Sequence, residues 1–409
     1  MFCVGVWFDI GFGVWIQPTI CFVCGWHRVN ADCMMLTSDQ FDMLTEPILS
    51  IYSEYETSVI VDIARRLKNL DLSSAGWQAQ RLTESGALYK DVLKQLAKLT
   101  GKSETEIAVM LKKAGVKAIN FDDKIYKDAG LEPIPLNLSP AMLQVLKAGL
   151  EKTNGVINNL TQTTALTAQQ SFIHTADLAY MQVSSGAMSY DQAIRQAIKN
   201  VAAQGLQTID YASGHQDQLD VSMRRAVLTG VAQTTGQLQM TRAEEMGSDL
   251  VAVSAHAGAR NKGVGPANHA GWQGKIYSRS GTSKKYPPFV EKTGYGTGPG
   301  LGGWNCRHSF YPFFENISEN AYSKKEVQAL NKQKVTYQDK EISQYDASQI
   351  QREIERRIRF WKRQAAALDA ATLDNSKEVA KVREWQQIMR SFVRETRLDR
   401  QSVREQVQY

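Results

Sequence analysis

From Ser38 onward, apolar side chains recur at Phe41, Leu44, Ile48, Ile51, Tyr55, Val59, Ile63 and Leu67. Spacings of three and four put them on one stripe of a long amphipathic helix. Pro47 falls in its first turns and marks either a kink or the true start. A second helix is predicted over residues 77–99, ending at Gly101. Ser103-Glu104-Thr105-Glu106 reads as a capping box that opens a third, stopping near Gly115. Ser139-Pro140 supplies an N-cap and a first helical residue for another. Helical periodicity continues through 156–183, 189–204 and 216–246, punctuated by Gly186, Gly205 and Gly214. The first 246 residues therefore read as almost wholly α.

The pattern changes after Gly247. Asp249–Val253 and Gly274–Ser278 are short β-prone runs, and Gly, Pro, Ser and Asn accumulate around them. Helical spacing returns after Ser318, with Ile350, Ile354, Ile358, Trp361, Ala365 and Leu368 on one stripe and Val379, Val382, Trp385, Met389 and Phe392 on a second. Joined near Asp374-Asn375, the two helices pair as a hairpin or dock on a partner. The expected fold class is mainly α. It has a helical body over 36–246, a small Gly-rich α+β domain over 247–318, and basic C-terminal helices over 319–409.

A length of 409 residues allows two or three such units. Hydrophobic content of 43% and charged content of 22% fit a folded globular chain and point to neither wholesale disorder nor a membrane bundle. The net charge of +6 is concentrated in 321–409, which carries nineteen Lys and Arg against thirteen Asp and Glu. Within it, Arg352, Arg356, Arg357, Arg359, Lys362 and Arg363 crowd around Trp361, diluted by Glu353 and Glu355. That run suits either a non-specific DNA contact or a solvated face beside a core stripe.

Four of the five cysteines, Cys3, Cys21, Cys24 and Cys33, lie in the first 33 residues, which argues against a disulfide framework. Residues 1–35 form an apolar, Cys-rich extension interrupted by Asp9 and Pro18, with no Lys or Arg ahead of the apolar run. It reads as neither a signal peptide nor a secure transmembrane helix. The Met34-Met35 pair directly before the amphipathic sequence suggests an upstream choice of start codon. Cys21, Cys24, His27 and Cys33 have zinc-ligand chemistry but fit no common knuckle spacing.

The densest chemistry lies in 249–313. His256, His269, Cys306 and His308 are one thiol and three imidazoles, a set that suits tetrahedral zinc and would staple a small loop-rich domain. The plainer reading of the same side chains is a metal-free polar staple, bonded to loop backbone. A third reading makes Cys306 the thiolate nucleophile of a hydrolase or transferase, activated by His256 or His269, with Arg307 lowering its pKa. Gly298, Gly300 and Gly303 match the spacing G-x-G-x-x-G, but Trp304-Asn305-Cys306 follows where a phosphate cradle requires a helix. No P-loop, paired-carboxylate constellation or His-Glu-x-x-His pattern is present.

The order His256, Arg260, Pro266, His269, Trp272-Gln273-Gly274, a Gly-rich loop, then Asn305-Cys306-Arg307-His308 resembles the minor capsid protein 2 family of Gram-positive phages. That family is related to the Mu F-type head-morphogenesis proteins. The resemblance extends through Ser185–Tyr190, Arg224–Gly230 and the Trp361–Gln364 helix, covering roughly 36–409; residues 1–33 lie outside it. It implies a structural rather than enzymatic role. The expected location is the virion, in the capsid interior or at the portal vertex, with action in assembly or DNA ejection. The implied partners are portal and capsid proteins, with packaged DNA as a further candidate for the basic helices and no membrane. No catalytic or cofactor-binding residues are implied.

Overall fold

The computed structural model describes residues 35–209, 214 and 216–407; Cys21, Cys24, His27 and Cys33 lie outside them. The described chain is mainly helical, with three small antiparallel sheets. Helix α1 (Ser38–Lys68) opens on a capping box in which Thr37 accepts from the Gln40 amide and the Gln40 side chain accepts from that of Thr37. Its expected apolar stripe is buried apart from the half-buried Leu44. Pro47 neither starts nor ends the helix. It sits on the exposed face above the solvated Met43, where water can satisfy the carbonyl that proline leaves unbonded.

Two expected helices are one. Helix α2 runs unbroken over Trp77–Asp128, 52 residues and about 78 Å at 1.5 Å per residue. Gly101 is an ordinary interior position, and Ser103 is not a cap: its buried hydroxyl shares a 2.7 Å hydrogen bond with that of Tyr52 on α1. Thr105 bonds back to the Gly101 carbonyl at 2.9 Å. Tertiary contact with α1 thus supplies a partner for the side chain that sequence assigned to a helix end. Likewise α3 (Pro140–Ser184), capped by Ser139, is continuous through Gly149 and Gly155.

Helix α4 (Tyr190–Gln204) is followed by a short hairpin, β1 (Gln207–Ile209) with β2 (Gln216–Gln218), and by α5 (Leu219–Glu245). Antiparallel α3 and α5 interlock reciprocally. Gly149 of α3 faces Thr234 of α5, while Gly230 of α5 faces Thr153 of α3, so closely that a Cβ on Gly230 would lie 2.6 Å from the Thr153 hydroxyl oxygen. Gly115 of α2 similarly admits Leu238. One continuous apolar core joins α1 to α5 and takes in Ala367 and Leu368 near the C-terminus.

Strand β3 (Leu250–Val253) is the centre of a three-stranded antiparallel sheet between β4 (Ile276–Ser278) and β5 (Phe310–Pro312). The first two match the expected strands within two residues; β5 was not anticipated. Alternation along the strands builds two faces. Val251, Val253, Tyr277 and Phe310 face a small core with Trp272, Phe289, Leu301 and Cys306. Ala252 and Tyr311 face Phe121 and Ile125 of α2. Two short helices, α6 (His269–Trp272) and α7 (Phe289–Thr293), are carried on the connections.

After α8 (Lys324–Lys332) comes a hairpin, β6 (Lys334–Tyr337) with β7 (Lys340–Ser343), turning on Gln338 and Asp339 at φ 50° and 59°. Positive φ at both central residues is the type I′ signature. Helices α9 (Gln344–Ala370) and α10 (Ser376–Thr396) then form the expected hairpin. Ile354, Ile358, Met389 and Phe392 are buried between them, with Val335, Tyr337 and Ile342 of the β hairpin packed alongside. The stripes are therefore satisfied largely within the chain. The α9 stripe does not hold its phase: beyond Ile358 the buried face shifts to Arg363, Gln364, Ala366, Ala367 and Leu368, leaving Trp361 half-exposed. There α9 also packs on α1 and α4, and the Arg363 guanidinium meets the Glu56 carboxylate at 3.3 Å.

Candidate functional site

The loops leaving β3 and entering β5 bring the motif residues together. His256 follows β3 directly, His269 opens α6, and Cys306 and His308 immediately precede β5. One helical turn places His269 and Trp272 on the same face, with ring centroids 4.6 Å apart. The Trp272 indole N–H donates to the Pro266 carbonyl at 3.0 Å, and its own carbonyl accepts from the Tyr277 hydroxyl at 2.6 Å.

Ligand atoms of His269, Cys306 and His308 lie within 4.8 Å of one another, and all three residues are buried. Cys306 Sγ is 3.7 Å from His308 Nδ1. His256 stands outside this trio, its ring centroid 4.3 Å from that of His308, and its buried Nε2 has no hydrogen-bond partner.

Gln273, to which sequence assigned no role, is the hub. Fully buried, it accepts through Oε1 from the His256 backbone N–H at 2.9 Å and from His308 Nε2 at 3.0 Å. Its Nε2 donates to Asn331 Oδ1 at 2.7 Å, and Asn331 donates to the Ala270 carbonyl at 3.0 Å. A backbone N–H can only donate, which fixes the amide orientation and makes His308 Nε2 the protonated nitrogen. The sequence signal was its place in the Trp272-Gln273-Gly274 block that carries the family resemblance. Gly274, at φ 67°, approaches Val327 so closely that a Cβ would lie 2.5 Å from Cγ2.

The Gly-rich segment packs against itself. A Cβ on Gly300 would overlap the Gly294 carbonyl, and one on Gly303 would overlap that of Gly298. Its amides are used internally: Gly300 donates to Thr297, Gly303 to Gly300 and Trp304 to Gly298. No helix follows. The spacing that matches a dinucleotide fingerprint is thus a folded loop in which the Gly300 and Gly303 amides are already used. Arg260 braces it with a 3.1 Å bond to the Trp304 carbonyl.

Burial dominates the electrostatics. It lowers the pKa of His256 and of His269 to about 4 and that of His308 well below the usual imidazole range, with nearby Arg charge adding to the effect. It raises the Cys306 thiol pKa. A nucleophilic thiolate needs the reverse, exposure and a lowered pKa. Arg307 is drawn away to Asp42 on α1, 3.0 Å distant.

Several of the C-terminal cations are ion-paired. Arg363 is buried against Glu56, Arg359 pairs with Asp220 at 2.6 Å, and Arg356 and Arg357 share Glu353 on the surface. Arg352, Arg356 and Arg359 also line one cavity with Arg224 and Arg404, beside Glu46, Glu56, Asp220 and Glu355.

Residues 36–394 match the family described as phage minor capsid protein 2. The chain belongs to that family. The minor capsid chain is 27% identical over 384 residues to a structural protein of Lactococcus phage LL-H, spanning 88% of this chain and 95% of the relative. A structural protein of Lactococcus phage mv4 is 33% identical over 128 residues, covering 30% of this chain and 93% of that one. No solved structure matches. The family and both relatives support a structural role in a phage virion. No helix among the described residues is long and apolar enough to cross a membrane.

Proposed function

We propose that this minor capsid protein acts at the portal vertex, its helical body docking on portal and capsid proteins during head assembly. The observation that supports the virion role, from which the portal placement is proposed, is the alignment with the LL-H structural protein over nearly the whole of both chains. The architecture is in keeping with it: the long α2–α3 pair is a scaffold, and the polar cluster at the sheet is internal rather than set in an open cleft. Leu82 and Met181, 58% and 61% exposed, lie toward the end of that pair where Trp77 stacks on Tyr180 at 4.0 Å, and they are candidate docking side chains.

Mass spectrometry of purified particles, scored against particle-free lysate, tests the reading. A few copies per head and cross-links from α2 or α3 to the portal are expected. Absence from particles would overturn the virion role, and cross-links confined to the major shell protein would overturn the portal placement.

A further inference from the structure

The structure places three buried zinc-type donors within 4.8 Å of one another, the outer nitrogens of the two histidines already bonded. His308 Nε2–H donates to Gln273 Oε1, and His269 Nε2 lies 2.9 Å from the Pro299 carbonyl, which can only accept. Both rings therefore carry the proton on Nε2 and leave Nδ1 as the lone-pair nitrogen. Such outward bonds to carbonyl oxygens orient metal-bound histidines.

The spacing agrees. With Zn–S near 2.3 Å and Zn–N near 2.05 Å, sulfur and nitrogen across a tetrahedral zinc lie ~3.6 Å apart. Cys306 Sγ and His308 Nδ1 are 3.7 Å apart. The small core around β3 is modest, and His269 is separated from the Cys306–His308 pair by the glycine loop. A bond from one to the other would tie both ends of that loop to the sheet.

We propose that His269, Cys306 and His308 bind a zinc ion, with His256 turning inward to supply the fourth ligand through its partnerless Nε2. One thiolate with three imidazoles selects a borderline-soft cation and offers no oxygen to magnesium or calcium. On binding, the Cys306 S–H bond is replaced by a sulfur–zinc bond and the proton leaves to solvent. The +2 ion is partly balanced by the thiolate, and neutral imidazoles complete the shell. No redox step is involved.

The full chain, purified without chelator, is expected to hold about one equivalent of zinc by elemental analysis. After the zinc is stripped, cobalt(II) is expected to give thiolate charge-transfer absorption and the intense visible bands of a tetrahedral site. Cys306→Ala and His308→Ala should lose both metal and spectrum, and His256→Ala should weaken zinc at least tenfold. Should those variants misfold, the wild-type chain decides alone: chelation should lower its thermal midpoint, and zinc but not magnesium should restore it. A folded wild-type chain with well under a tenth of an equivalent of zinc and no cobalt spectrum would overturn the proposal. The Cys306–His308 contact would then be a thiol–imidazole hydrogen bond. Wild-type affinity in His256→Ala would overturn the assignment of the fourth ligand. None of these outcomes depends on where the protein sits in a particle.

Discussion

Asp42 and Arg307, 265 positions apart in the chain, form an ion pair in which Nη2 lies 3.0 Å from Oδ1. Arg404 reaches the other oxygen at 2.7 Å and Arg224 of α5 approaches at 3.6 Å. One carboxylate on α1 thus ties together the helical body, the Asn305–His308 block and the C-terminal turn. Burial raises the Asp42 pKa, but Arg307 and Arg404 outweigh it and the net shift is downward. Asp42→Asn leaves three largely buried guanidiniums without the carboxylate they share, and only Glu355 nearby to offset Arg224 and Arg404. A loss of about 3 kcal/mol is expected, against under ~0.5 kcal/mol for the exposed Asp39→Asn. Urea unfolding of the two variants measures the difference, and equal midpoints would show the cluster to be without structural weight.

Much of this fold was legible. Long-range periodicity placed α1, α4, α9 and α10, because an amphipathic face repeats whatever it packs on. Local punctuation misled where a tertiary contact outbid it. Gly101 and Ser103 read as a stop and a cap, yet Tyr52 on another helix takes the Ser103 hydroxyl. The β6–β7 hairpin was missed because Gln338-Asp339 lacks the glycine that usually marks a type I′ turn. The short β5 was hidden among loop residues. At the site, sequence supplied the thiol and imidazoles. It could not supply Gln273, whose role exists only once His256, His308 and Asn331 surround it.

Two glycines should respond in opposite senses. Gly101 lies inside α2 with open space where a Cβ would project, so Gly101→Ala should stabilise by roughly 0.5–1 kcal/mol. In Gly300→Ala the new Cβ must displace the Gly294 carbonyl, and a loss above ~2 kcal/mol is expected, with faster amide exchange across 294–308. Destabilisation by Gly101→Ala would mean that the helix is broken there.

Asp122 is buried on α2, both of its oxygens near Gln239 Nε2, and burial raises its pKa well above the ordinary 3.8. A carboxyl with a raised folded-state pKa holds its proton more tightly in the fold. Its contribution to stability is full below about pH 4 and is lost as pH rises through the folded value. Asp122→Asn removes that titration. The variant should match the wild type near pH 4 and be the more stable at pH 8. Urea midpoints at the two values test this, and a parallel pH dependence in both proteins would contradict it.

Gln273 separates a metal site from a polar staple. Gln273→Leu strands the His256 N–H and the Asn331 amide, costing about 2 kcal/mol in either case. If zinc is bound, the substitution also frees the His308 ring from the bond that orients it, and zinc affinity should fall 10- to 100-fold in chelator competition. Gln273→Glu keeps an acceptor toward both His256 and His308. It should hold zinc near wild-type affinity while losing the donor to Asn331. Stability and metal affinity therefore move together in the leucine variant and apart in the glutamate variant. A staple without metal predicts loss of stability in both and nothing for the chelator to compete against.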